Sequence, residues 1–184
     1  MAKKEEKAAS GAFSVKGYSE TEGTNYINSG IHVMEIAGVV GEEPEGKSPY
    51  IEFQLKSPNG EHKERLYFSE KAQKNSWGNL RHLVNKIITD AELENISSDS
   101  ISEYAEKLSS AITGKKVRVV IVEKLSDNGK LYNRFKFPPF AESAAIAGDK
   151  SKLKFSAEKD NDRLPTGGNT IASRPSTSSV DDWD

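Results

Sequence analysis

Three tyrosines and four cations fall on one phase of this chain's alternating segments: Tyr50, Tyr67 and Tyr132 with Arg65, Arg118, Arg134 and Lys136. Successive side chains of an extended strand point to opposite faces, so the apolar set fixes one face and assigns the remainder to the other. Ile51, Phe53 and Leu55, then Leu66 and Phe68, then Val117, Val119 and Ile121, then Phe135 and Phe137 fall in phase as core. That puts Tyr50, Glu52, Gln54, Arg65, Tyr67, Arg118, Val120, Val122, Tyr132, Arg134 and Lys136 opposite. Aromatic rings stack on unpaired bases, and Arg or Lys beside them neutralises the flanking phosphates; together they hold a single strand without reading its sequence. The plainer reading is that tyrosine fits any pleated, half-buried surface, with Val120 and Val122 covered by the N-terminal arm, residues 1–29, or by a partner.

The end of the chain carries a second chemical signal. After the polar stretch "RLPTGGNTIASRPSTS" it reads "SSVDDWD", with Asp181, Asp182, Trp183 and Asp184 closing the sequence. A solvated tail has no use for Trp, so a large apolar ring among negative charges reads as a docking peptide. The leash from Ser156 to Ser179 spans about 25–30 Å as a flexible coil, enough to bring these carboxylates to the basic strands in competition with phosphate. The plainer reading is a solubilising tail.

Catalytic constellations do not emerge. The chain has no Cys, which excludes disulfides, thiol catalysis and Cys-ligated zinc. His32, His62 and His82 lie far apart and read as surface or core filler. Gly114-Lys115-Lys116 lacks the remainder of a phosphate-binding loop, and Asp160-Asn161-Asp162 lacks the other ligands of a calcium loop. The expectation is a binding protein with no catalytic residue, no metal and no cofactor.

The elements that must position the tyrosines are five β-rich runs, at 30–40, 49–57, 62–69, 115–125 and 131–140. Ser57-Pro58-Asn59-Gly60-Glu61 and Asp127-Asn128-Gly129 supply turn chemistry for two hairpins. Between the third and fourth runs, Trp77, Leu80, Leu83, Val84, Ile87 and Ile88 recur at helical spacing after the cap candidate Ser69. Trp77 lies on that apolar stripe. A second helix follows the capping-box pattern Ser100-Ile101-Ser102-Glu103, with Ile101, Tyr104, Ala105, Leu108 and Ile112 as its stripe and Gly114 at its stop. Three strands, one or two helices and two strands is the order of a five-stranded OB-fold-like barrel. Residues 1–29 read as an N-terminal arm, 30–140 as the domain, and 141–184 as a flexible linker ending in the acidic peptide.

Charge is unevenly spread. From Lys115 to Lys136 seven bases face only Glu123 and Asp127, whereas Ile87–Ala111 holds six acids against Lys107. The loop "GEEPEGKSP" (41–49) carries Glu42, Glu43 and Glu45 against Lys47 and is expected to repel phosphate. The segment "MAKKEEKAAS" lacks the apolar stretch of a secretory signal, and no run approaches the ~20 apolar residues of a membrane span. A soluble cytoplasmic protein is expected, with no membrane partner.

The runs "GKSPYIEFQLKSPNG", "RLYFSEKAQKNSWGNLRHLV" and "ITGKKVRVVIVEKLSDNGKLYNRFKFPPF", a spacer and an acidic terminus with an aromatic together resemble the single-stranded DNA-binding proteins of bacteriophages. The likeness covers roughly residues 30–140 and the last five, and it rests on layout more than on an invariant motif. It implies an OB-fold protein that coats exposed strands during DNA replication, recombination or repair in a bacterial host cell, with a tail that recruits replication or recombination proteins. The family ending carries more acids and a Phe at or near the end, where this chain has a penultimate Trp183. DNA against RNA, and assembly as a homo-oligomer, stay open. The rival reading is a protein-binding or virion-associated OB-fold module.

Overall fold

The computed structural model describes residues 27–146 and 148–162. Its elements run β1 (Gly30–Glu42), β2 (Tyr50–Ser57), β3 (Gly60–Tyr67), α1 (Gln73–Val84), α2 (Asp90–Glu94), α3 (Ile101–Ile112), β4 (Lys116–Leu125), β5 (Leu131–Phe135), β6 (Ala141–Ser143) and α4 (Ala157–Asp160). All strand pairs are antiparallel in one six-stranded sheet ordered β3-β2-β1-β4-β5, with β6 also on β4. The fold is mainly β with helices between the third and fourth strands, as the sequence order implies.

β1 organises the sheet by serving two neighbours in turn. Gly30–Glu35 pairs with β4, Glu35–Glu42 pairs with β2, and the register shifts between Ile36 and Gly38. An extra residue at such a point bends the strand and increases its twist, so the two halves of the sheet wrap toward each other. On the concave side lie Met34, Ile36, Ile51, Phe53, Leu55, Val117, Val119 and Ile121, all nearly inaccessible to solvent. Burying each side chain of this size contributes about 1.5–3 kcal/mol.

The helices close one end of this core. α3 buries Ala105, Leu108 and Ile112 and starts with Ser100 Oγ accepting from Glu103 N. Its N-terminus presses so closely on β1 that a Cβ at Gly41 would collide with the Ile101 carbonyl. Glu43 takes part in the same cap, its carboxylate accepting from Ile101 N and from Ser102 N at 3.2 Å. Trp77 sits in the plug, its ring 4.6 Å from Phe68 and 5.2 Å from Tyr104. α1 starts one turn later than the cap candidate suggests: Ser69 O accepts from Gln73 N, and Ala72 takes the cap position with no side-chain bond. α2, unforeseen, has a full capping box from Thr89 and Glu92.

Two stretches differ from expectation. Phe137, assigned to the core by extrapolating alternation, is 74% exposed. β5 ends at Phe135, and the Pro138-Pro139 pair that follows cannot donate ladder hydrogen bonds, so the phase does not carry through. Residues 141–162, read as linker, are tied to the sheet at several points. β6 pairs Ala141–Ser143 with Val119–Val117, and Leu153 and Phe155 pack over Val120 and Val122 on the outer face of β4. Asn161 and Asp162 then accept from the Glu123 and Leu125 amides, satisfying the edge of β4 beyond the end of its pairing with β1. The two valines therefore belong to a second, smaller apolar cluster.

Candidate nucleic-acid interface

The two sheet edges approach each other at β3 and β5. Glu64 Oε2 accepts from Phe135 N at 2.7 Å and from His62 Nε2 at 3.0 Å, and Asn133 Nδ2 donates to Ile27 O at 2.6 Å. Ile27 N in turn donates to Glu61 O at 3.1 Å. His62 is buried with its ring 5.3 Å from Phe135, so it is a core histidine that holds the junction. Above this seam lies an open groove of about 850 Å³.

β3 contributes Lys63, Arg65 and Tyr67 to the groove, β2 contributes Glu52, and β5 contributes Tyr132 and Arg134. Alternation puts these side chains on one face: Arg65 and Tyr67 are two apart on β3, and Tyr132 and Arg134 two apart on β5. Tyr67 and Tyr132 are about half exposed, with their rings available. Tyr50 lies next door, in a smaller depression with Lys47, Arg65 and Tyr67. Its ring is 5.5 Å from that of Tyr67, and the Arg65 guanidinium stands 4.9 Å over it.

Arg118 and Lys136 do not join this set. The Arg118 guanidinium donates to Ile146 O at 2.7 Å and lies 3.5 Å from Glu142, held beneath the β6 segment. Lys136 Nζ is 2.8 Å from Asp160 and donates to Lys154 O at 2.9 Å. The segment read as linker thus pairs with two of the seven residues that the strand phase nominates. Of that seven, Tyr50, Arg65, Tyr67, Tyr132 and Arg134 come together. Lys63 joins them although the motif reading passed over it; its place two residues before Arg65 is the signal that finds it. The tail residues Asp181, Asp182, Trp183 and Asp184 lie outside the described residues.

The groove's electrostatics are layered. Lys63, Arg65 and Arg134 face the carboxylates of Glu52, Glu64 and Glu123. Glu52 and Glu64 are buried in the floor, while the Lys63 and Arg65 side chains are more than half or about half exposed. Burial works to raise the Glu52 carboxyl, but hydrogen bonds from Arg65 and Gln54 and the charges of Arg65 and Lys63 outweigh it and hold it below its ordinary range. Arg65 Nε donates to Glu52 Oε2 at 2.7 Å, which together with the Tyr67 hydroxyl raises the guanidinium further. The floor acid orients Arg65, and the rim presents cations between aromatic rings. The acidic loop 41–49 spends Glu43 on the α3 cap and leaves Lys47 beside Tyr50.

Among the described residues, no group of three or more His, Cys, Asp or Glu could hold a metal ion, and no helix is long and apolar enough to cross a membrane. The chain matches no protein-family model and no curated protein sequence.

Proposed function

We propose that the chain is a single-stranded DNA-binding protein whose groove between β3 and β5 holds the strand. The observation that carries this reading is the convergence of Tyr50, Tyr67 and Tyr132 with Arg65, Arg134 and Lys63 along one open face. Rings offer stacking surfaces that every base can use, and the rim cations neutralise phosphates between them. The wrapped sheet, with β1 shared between two neighbours and Glu64 tying β3 to β5, supports a five-stranded OB-fold-like barrel, an architecture that binds oligonucleotides across such a face.

In this reading the protein coats and protects strands exposed during replication, recombination or repair, in the manner of the bacteriophage proteins it resembles. Asp181, Asp182, Trp183 and Asp184 serve as the handle for replication or recombination proteins. The three carboxylates among the groove's charges are the one observation that suits a protein ligand instead. Titration of a fluorescent oligothymidine separates the two: affinity that falls steeply between 50 and 200 mM salt, as roughly several phosphate contacts require, supports the strand. Absence of binding at micromolar protein, even at low salt, supports the protein ligand.

A further inference from the structure

We propose that the binding track does not stop at Arg134 but continues to Phe137, whose ring takes one further unpaired base. The inference rests on the groove's reading as a single-strand site and extends it toward α1. Phe137 is 74% exposed, whereas Phe135 and Phe140 on either side of it are buried and stacked on one another 4.9 Å apart. The chain therefore places two phenylalanines of this run in the core and turns the third to water, where it forgoes the free energy of burial.

Its position gives that exposure a use. The Arg134 guanidinium stands 5.5 Å from the Phe137 ring centroid, and Arg134 also lines the main groove beside Tyr132. A small notch that shares Glu64 and Arg134 with the groove is lined also by Asn79, Lys136 and Phe137, over Leu66, Phe135 and Phe140. Arg134 is thus flanked by an aromatic ring on each side along the track, the alternation of ring and cation that a strand's repeating base and phosphate require. An exposed aromatic beside a cation also gives a stacked base a neighbouring charge for its phosphate.

Phe137→Leu keeps apolar bulk and removes the π-face, while Phe137→Trp keeps the face. Because the side chain is exposed, neither should shift the melting temperature, and that scan is run first. Anisotropy titration with labelled oligothymidine should show Phe137→Leu binding about tenfold more weakly than the parent, with Phe137→Trp close to the parent. Equal affinity of parent and Phe137→Leu overturns the inference and leaves the groove standing, as does equal weakening by Leu and Trp, because then the ring face is not what binds. If the parent itself does not bind, the groove reading fails first, and this extension goes with it.

Discussion

Tyr50 and Tyr67 are cross-strand neighbours with ring centroids 5.5 Å apart and planes 52° from one another. A base sandwiched between two rings needs them about 7 Å apart, two carbon contacts of ~3.5 Å. These two are too close and too tilted for that, so they form one composite surface, with Arg65 over the Tyr50 ring.

The consequence is coupling. Tyr50→Ala and Tyr67→Ala should each cost about 1–3 kcal/mol of single-strand affinity. The double variant should cost less than the sum by at least ~0.5 kcal/mol, since either removal spoils the shared surface. Tyr132, across the groove on β5, should combine additively with Tyr67. A double-mutant cycle in oligonucleotide titrations checks both, and additivity of Tyr50 with Tyr67 would mean two separate stacking positions.

If the groove holds a strand as proposed, Glu52 tunes how strongly its rim attracts phosphate. Its carboxylate engages Arg65 at 2.7 Å and lies 3.9 Å from Lys63. Glu52→Gln removes a buried negative charge beneath the rim, so strand affinity at low salt should rise several-fold and the salt dependence should steepen. Stability should fall, because Arg65 loses a charged acceptor. Calorimetry and titration on one preparation would show the two effects moving in opposite directions.

Acid should loosen the junction of α1 with β6 through His82. Its Nε2 accepts from Phe140 N at 3.3 Å and from Ala141 N at 3.4 Å, bonds that a protonated ring cannot accept. Burial, assisted by the charge of Lys86, pushes the imidazole below its ordinary 6.5. A folded value below the unfolded one means that the unfolded chain takes up the proton first. Stability is therefore full above about pH 6.5 and declines as the pH falls toward the folded value. The melting temperature of His82→Gln should be lower at pH 7.5 and flatter between pH 7 and 5.5 than the parent's.

Two substitutions test the packing that holds the groove's scaffold. Gly41→Ala should cost about 1–3 kcal/mol, because a Cβ there meets the Ile101 backbone, which cannot swing aside. Leu153→Ala should cost about 2 kcal/mol by uncovering Val120 and Val122. Urea denaturation measures both, and a neutral Leu153→Ala would mean that the 148–162 segment does not hold the β4 face.

The five longer strands and both long helices were legible because each repeats a period over enough residues to be seen. Tyr50, Arg65, Tyr67, Tyr132 and Arg134 were legible for the same reason: alternation alone sorts them from Ile51, Leu66 and Phe135. β6 and α2, at three and five residues, are too short for periodicity to register. Phe137 was misplaced because a period says nothing about where a strand ends. Arg118 and Lys136 share the right phase, but their partners, Glu142 and Asp160, lie in a stretch whose composition resembles a linker. Glu52 follows the exposed phase and is buried all the same, because Arg65, Lys63 and Gln54 close over it. Val120 and Val122 made β4 apolar on both faces, which announced a cover; the cover was sought in the N-terminal arm or a partner, whereas Leu153 and Phe155 of the supposed linker supply it.

The central claim is that the groove between β3 and β5, and not general surface charge, binds the strand. The most direct measurement compares, at matched salt, labelled oligothymidine binding by the parent, by Tyr67→Ala/Tyr132→Ala, and by Lys56→Ala. Lys56 is an exposed cation on β2 that pairs with Glu35 at 3.2 Å outside the groove. The double variant should lose at least about thirtyfold in affinity, two additive stacking contacts at roughly 1–3 kcal/mol each. Lys56→Ala should stay within about twofold of the parent, a single exposed charge being worth little at moderate salt. Equal binding by the parent and the double variant, or an equal loss in both variants, would contradict the claim.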